Sequence, residues 1–172
     1  TGLFCHLVLK MALTEGMLLG AVLGSTDAAS VFSILRSRKL NLKYGTASML
    51  ELESGSNDPF AYMMTVILLS AMTGSVSGGS AVLLLIRQLA FGLLTGAAIA
   101  FLVTWLLKRY AFYGEGFDTI FVFAAAIISY ALASQIGGNG YLSVYLTGII
   151  LGNQELKNQK ALVGFFDAFT GM

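Results

Sequence analysis

The chain has 172 residues, of which 56% are hydrophobic and only 11% charged, with a formal net charge of +1. Its mean hydropathy is +0.79. An ordinary soluble domain carries about 25% charged residues, so these values exclude a typical soluble fold and describe an all-α, polytopic membrane helix bundle. The alternating ten-residue segments of a membrane barrel are absent, and no basic cluster suggests nucleic acid.

A crossing needs about 20 predominantly apolar residues. Residues 3–9 are too short to span and lack a cleavage pattern, so they read as the tail of a helix rather than a signal peptide. Residues 16–35 form the second candidate span, and residues 36–43 a basic loop. The third span, 47–73, carries a dense polar run in its first half. An uncharged Gly/Ser loop, 74–80, precedes a fourth span over 82–107. The fifth span covers 119–135. After a break at Gly137-Gly138-Asn139-Gly140 comes a short sixth segment, 141–152. A charged linker, 153–160, leads to 162–172, which reads as the start of another helix. Apolar sequence at both ends predicts a piece of a longer protein, a partial transmembrane domain of about six segments plus the start of another.

The loops at 36–43, 108–109 and 157–160 hold eight of the ten Lys and Arg residues. They fall on one side if every segment crosses, which makes that side cytoplasmic. Arg87 is read as snorkelling from the outer end of the fourth span. Gly92, Gly96 and Ala100, spaced by four, predict close helix packing. Cys5 has no intrachain partner for a disulfide, and His6 is expected at the interface rather than as a ligand.

The polar run is the feature that membrane composition does not explain. Between Glu51 and Asp58 lie three carboxylates, two hydroxyls and an amide. With Asp27 of the second span, the acids Glu53 and Asp58 would cost on the order of 8–10 kcal/mol if they faced lipid. Groups of this kind face a protein interior or a watery cavity and mark ion or proton pathways.

Two local patterns refine that reading. Gly20 and Gly24 each weaken the second helix by about 1 kcal/mol relative to Ala, and Ser25 and Thr26 offer hydroxyls to loosened carbonyls. A mid-membrane unwinding is expected at Gly24-Ser25-Thr26-Asp27, where freed carbonyls can hold a cation; the plainer alternative is a packed helix with Asp27 paired to a neighbour. In the third span, Glu53 stacks with Asn57 and Ser54 with Asp58, four residues apart. Pro59 leaves the carbonyl of Gly55 without its helical donor. Oxygen ligands without sulfur or clustered His suit a hard cation such as Na⁺ or K⁺. Burial disfavours any charged carboxylate, whereas a bound cation favours it. A proton and a cation therefore exclude one another at a single acid.

On these residues the chain resembles the monovalent cation:proton antiporter superfamily, the sodium/hydrogen exchanger domain. Thr26-Asp27-Ala28-Ala29 resembles the Thr-Asp motif of its unwound helix, and Glu53-Ser54-Gly55-Ser56-Asn57-Asp58-Pro59 its Glu-Ser-x-x-Asn-Asp motif. Gly140-Tyr141-Leu142-Ser143-Val144-Tyr145-Leu146-Thr147-Gly148 resembles a Gly-x-Leu-x-Val-Tyr-x-x-Gly segment of the bacterial potassium/proton branch. The resemblance implies an inverted-repeat fold with an interrupted helix. Asp58 is implied as the cation- and proton-binding carboxylate, with Ser54 and the backbone of Thr26 as cation ligands. Asn57 is implied to stand for a second Asp of electrogenic relatives, giving electroneutral exchange. Glu53 and Asp27 are implied to hold the two helices together and shape the site. It further implies a homodimer in the inner (plasma) membrane that exchanges K⁺ or Na⁺ for H⁺ and uses no cofactor; this stretch alone is not expected to transport.

Two other classes stay open on the residues themselves: a cation channel lined by the same acids, and a membrane structural or sensor protein with buried ion pairs. The second needs a basic partner at the depth of Glu53 or Asp58, and the spans offer only Arg87. No phosphate loop, metal-binding His pair or nucleophile motif supports an enzyme. Asp167 has no assigned role.

Overall fold

The computed structural model describes residues 1–27, 30, 34, 43, 46–74, 78–109, 116–156 and 159–170. Among them the regular structure is helical and no strand occurs. The helices are α1 (Gly2–Leu7), α2 (Leu13–Val22), α3 (Thr46–Met72), α4 (Gly78–Arg109), α5 (Phe117–Gln135), α6 (Gly140–Gly152) and α7 (Gln159–Thr170). Residues 28–29, 31–33, 35–42, 44–45, 75–77, 110–115, 157–158 and 171–172, which include most of the expected basic loop, lie outside the described residues.

The helices overrun the apolar cores from which their spans are read. α2 begins at Leu13 and takes Glu15 into its first turn, where an acid meets the positive end of the helix dipole. α4 runs on to Lys108 and Arg109 in its last turn, the end the dipole reserves for cations. α4 and α5 are each long and apolar enough to cross a bilayer. α3, 27 residues and thus about 40 Å long, is long enough but carries the polar run. α6, at 13 residues, reaches only about 20 Å of a hydrocarbon core about 30 Å thick.

The chain divides into two compact units, Thr1–Gln88 and Leu89–Met172. In the first, α2 packs between α1 and α3. α1 and α2 meet through glycines: a Cβ on Gly16 would lie 2.7 Å from the carbonyl oxygen of Gly2. The connection is closed by His6, whose Nδ1 lies 2.8 Å from the Met11 carbonyl oxygen, while Lys10 takes a positive φ of 54°. On the second half of α3, Thr65 and Ser70 donate to the carbonyls four residues back, Ala61 and Val66, each at 2.8 Å. Hydroxyls that satisfy themselves in this way need no polar partner from another helix.

In the second unit, α5 packs against α6 and more lightly against α7. Gly92 and Gly96 of α4 face the start of α6, as their spacing predicts. A Cβ at Gly96 would stand 2.5 Å from the Ser143 carbonyl oxygen, and one at Gly92 2.9 Å from that of Asn139. Contact this close brings hydroxyls into range. Ser129 Oγ lies 2.7 Å from Ser143 Oγ and 3.0 Å from Thr147 Oγ1. Thr147 also donates towards the Gly96 carbonyl at 3.1 Å. The cluster is fully buried, with an apolar core of Ile99, Val103, Ala125 and Leu151 in the same unit. Asn139 caps α6, its side-chain oxygen accepting from the Leu142 amide at 3.0 Å.

Two substitutions test this packing. Gly96→Ala drives a methyl into backbone and is expected to destabilise by about 1–3 kcal/mol. Gly148→Ala, where a Cβ meets nothing within 4 Å, is expected to be neutral or to stabilise by up to about 1 kcal/mol. Thermal unfolding of the detergent-solubilised full-length protein measures both; equal melting temperatures would contradict the close approach.

Candidate functional site

The site begins where α2 stops. Leu23 closes the helix by donating to Leu19, and the amide of Gly24 bonds back to Ala21 at 3.3 Å. Ser25, Thr26 and Asp27 then run without helical structure. Ser30 is helical again, and Asp27 accepts from both its amide, at 3.3 Å, and its hydroxyl. That is the geometry of an acidic N-cap, which satisfies the first amides of a restarting helix. The expected unwinding is therefore present over Ser25, Thr26 and Asp27, after Gly24.

The opposing wall is the turn of α3 from Glu53 to Asp58. Ser54 is 2% exposed and Pro59 is buried, while Asn57 and Asp58 are half-buried and Glu53 is exposed. Helical spacing puts Ser54, Asn57 and Asp58 on one face, and each of them meets the unwound stretch. The Ser25 hydroxyl donates to Asp58 Oδ1. The Thr26 hydroxyl donates to Ser54 Oγ at 3.1 Å and accepts from Asn57 Nδ2 at 2.7 Å. The same Nδ2 reaches Glu53 Oε1 at a long 3.4 Å.

These bonds fix the Asn57 amide. With Nδ2 engaged by Thr26, its oxygen points away from the hydroxyl, and Oδ1 is buried with no hydrogen-bond partner among the described residues. A buried acceptor left so costs about 1–3 kcal/mol. Next to it stand a carboxylate, two serine hydroxyls and the backbone of an interrupted helix. Such a set of hard oxygens with one negative charge fits a weakly held monovalent cation.

The site residues named from the sequence fall as follows. Ser54, Asn57 and Thr26 come together directly, and Asp58 joins the unwound stretch through Ser25. Glu53 joins through Asn57, and Asp27 sits at the far edge of the break with its carboxylate on Ser30. Ser25 is the partner that sequence reasoning missed: its hydroxyl reads as a local cap for loosened carbonyls, whereas it crosses to Asp58. Its only sequence signal is its place beside Thr26 in a stretch already marked as unwound.

An interrupted helix against a polar helix turn is an arrangement found at the binding sites of membrane transporters. The transmembrane sodium/hydrogen exchanger family model matches residues 1–171, and the chain belongs to that family. It is 36% identical over 173 residues to the K(+)/H(+) antiporter NhaP2 of Shewanella oneidensis, an alignment covering 99% of this chain and 30% of that protein. With the K(+)/H(+) antiporter NhaP of Alkalimonas amylolytica it shares 38% identity over 157 residues, 91% of this chain and 27% of the relative. With the low-affinity Na(+)/H(+) antiporter NhaS1 of Synechocystis it shares 29% over 150 residues, 83% and 27% respectively. The chain thus spans less than a third of the length of these relatives. They are transporters rather than enzymes, and their names cover both potassium and sodium.

The Thr26 hydroxyl makes two of the bonds that join the break to α3. Thr26→Val removes both while keeping shape and backbone, and is expected to lower stability by about 2 kcal/mol, at roughly 1 kcal/mol per hydrogen bond. Thr26→Ser is expected to retain most of it. Thermal unfolding of the full-length protein in detergent compares them, and an unchanged Thr26→Val would remove Thr26 from this role.

Proposed function

We propose that the chain forms part of an antiporter that exchanges a monovalent cation, K⁺ or Na⁺, for protons, and that Asp58 binds the two alternately. The observation that carries this reading is the cluster of Ser25 and Thr26 on Asp58, Ser54 and Asn57, with the Asn57 carbonyl oxygen buried and unpartnered. Asp58, Ser54 and the backbone of Thr26 ligate the dehydrated cation, while Asn57, Glu53 and Asp27 hold the surroundings in shape. The carboxylate carries either the cation or a proton across, never both.

One carboxylate with an amide beside it supports one-for-one, electroneutral exchange. Potassium as the physiological cation is supported by the NhaP and NhaP2 relatives, each named a K(+)/H(+) antiporter; NhaS1 keeps sodium within the same reading. The working protein is a homodimer in the plasma membrane, built from this region and the rest of an inverted-repeat transport domain.

Everted vesicles containing the full-length gene product test this with a pH-sensitive dye. Addition of K⁺ or Na⁺ is expected to dissipate an imposed proton gradient, and Asp58→Asn to abolish the response by at least a hundredfold, because a neutral amide neither exchanges a proton nor balances a cation. Persistent exchange in Asp58→Asn vesicles would refute the assignment.

A further inference from the structure

The Ser25 hydroxyl of the unwound stretch bonds the Asp58 carboxylate itself, at Oδ1. Ser25 follows Gly24, so its backbone is outside the helical ladder and its side chain is free to cross to α3. Neighbouring Thr26 is engaged elsewhere, on Ser54 and Asn57. The two residues thus divide the opposing face between them: Thr26 fixes the helix, and Ser25 fixes the acid.

We infer that Ser25 is a positioning residue for cation binding. It holds Asp58 Oδ1 and so presents Oδ2 to the cation in one orientation, alongside Ser54 and the backbone of Thr26. The inference rests on the reading of Asp58 as the binding carboxylate. A half-buried Asp side chain has a freely rotating, roughly two-fold terminal torsion, and a hydroxyl anchored on an adjacent segment removes that freedom before the ion arrives. Pre-ordering a ligand lowers what binding must supply in ordering. Loss of the anchor therefore weakens ground-state capture of the cation more than it slows turnover. Because Ser25 touches only one oxygen, a larger hydroxyl residue with the same reach serves equally.

The test uses full-length protein in everted vesicles at fixed pH, with initial exchange rates measured over a range of K⁺ and, separately, Na⁺ concentrations. Ser25→Ala is expected to raise the apparent KM about tenfold, the scale of one hydrogen bond to a charged group, with kcat changed less than about threefold. Ser25→Thr is expected to restore KM to within about threefold of wild type, which a volume or folding defect would not do. A wild-type KM in Ser25→Ala, or an equal loss in Ser25→Thr, overturns the inference. If Ser25→Ala fails to accumulate, the comparison of Ser25→Thr with Ser25→Cys, a poor hydrogen-bond donor of similar size, decides in the same way. Failure of wild-type vesicles to exchange, or survival of exchange in Asp58→Asn, would instead strike the proposed function and leave a separate signature.

Discussion

The first unit depends on one set of cross-helix hydrogen bonds, from the hydroxyls of Ser25 and Thr26 to the polar turn of α3. A break in a helix at membrane depth exposes amides and carbonyls that lipid cannot satisfy, and such a break survives only against protein or a wet cavity. A turn carrying Ser54, Asn57 and Asp58 has the same difficulty in reverse. Each element would be unfavourable alone. Set against each other, Ser25 and Thr26 donate their hydroxyls to Asp58 and Ser54, and Asn57 of α3 donates in return to the Thr26 oxygen. Asp27 completes the arrangement locally by accepting from the amide and hydroxyl of Ser30.

Three kinds of polar group contrast among the described residues, and the one that carries a carboxylate suits an ion. Thr65 and Ser70 bond their own helix and are invisible to their surroundings. Ser129, Ser143 and Thr147 bond one another in a dry, uncharged cluster where glycine has let backbones come close. Each hydroxyl there has a partner, as expected of interhelical adhesion in membranes. The Asp58 region differs in carrying a carboxylate and an acceptor oxygen that its neighbours leave open. Charge together with an unmet acceptor separates a site from a seam.

Much of this was legible from residue types and spacing. Glycines at 20 and 24 followed by two hydroxyls forecast the break, and the four-residue stacking of Ser54 with Asp58 forecast a common face. Gly92 and Gly96 forecast close packing because a missing Cβ has a purely geometric effect. The hydroxyl cluster at Ser129 was not legible, since a buried Ser in a membrane helix looks the same whether it bonds its own backbone or another helix. Ser25 escaped for a related reason. Periodicity assigns directions to side chains only where the backbone is regular, and the chain at Ser25 is not. Helix ends were also displaced, because hydropathy sees the apolar centre of α4 but not the Lys108 and Arg109 that its dipole retains.

The identity of residue 57 ties the local architecture to the charge of the site. Thr26 Oγ1 has a single proton, and it is directed to Ser54. The Asn57 amide donates to Thr26 Oγ1 at 2.7 Å, which leaves the Thr26 proton for Ser54. An ionised Asp at 57 would take the Thr26 proton for itself and add a second negative charge between Asp58 and Glu53. The amide at 57 thus joins the turn to the broken helix without adding charge. The consequence is electrostatic: Asp58 is the one acid of the facing trio Ser54, Asn57 and Asp58. A single charge is neutralised by one proton or by one monovalent cation, so the bond that secures the break also supports the one-for-one exchange proposed for the site.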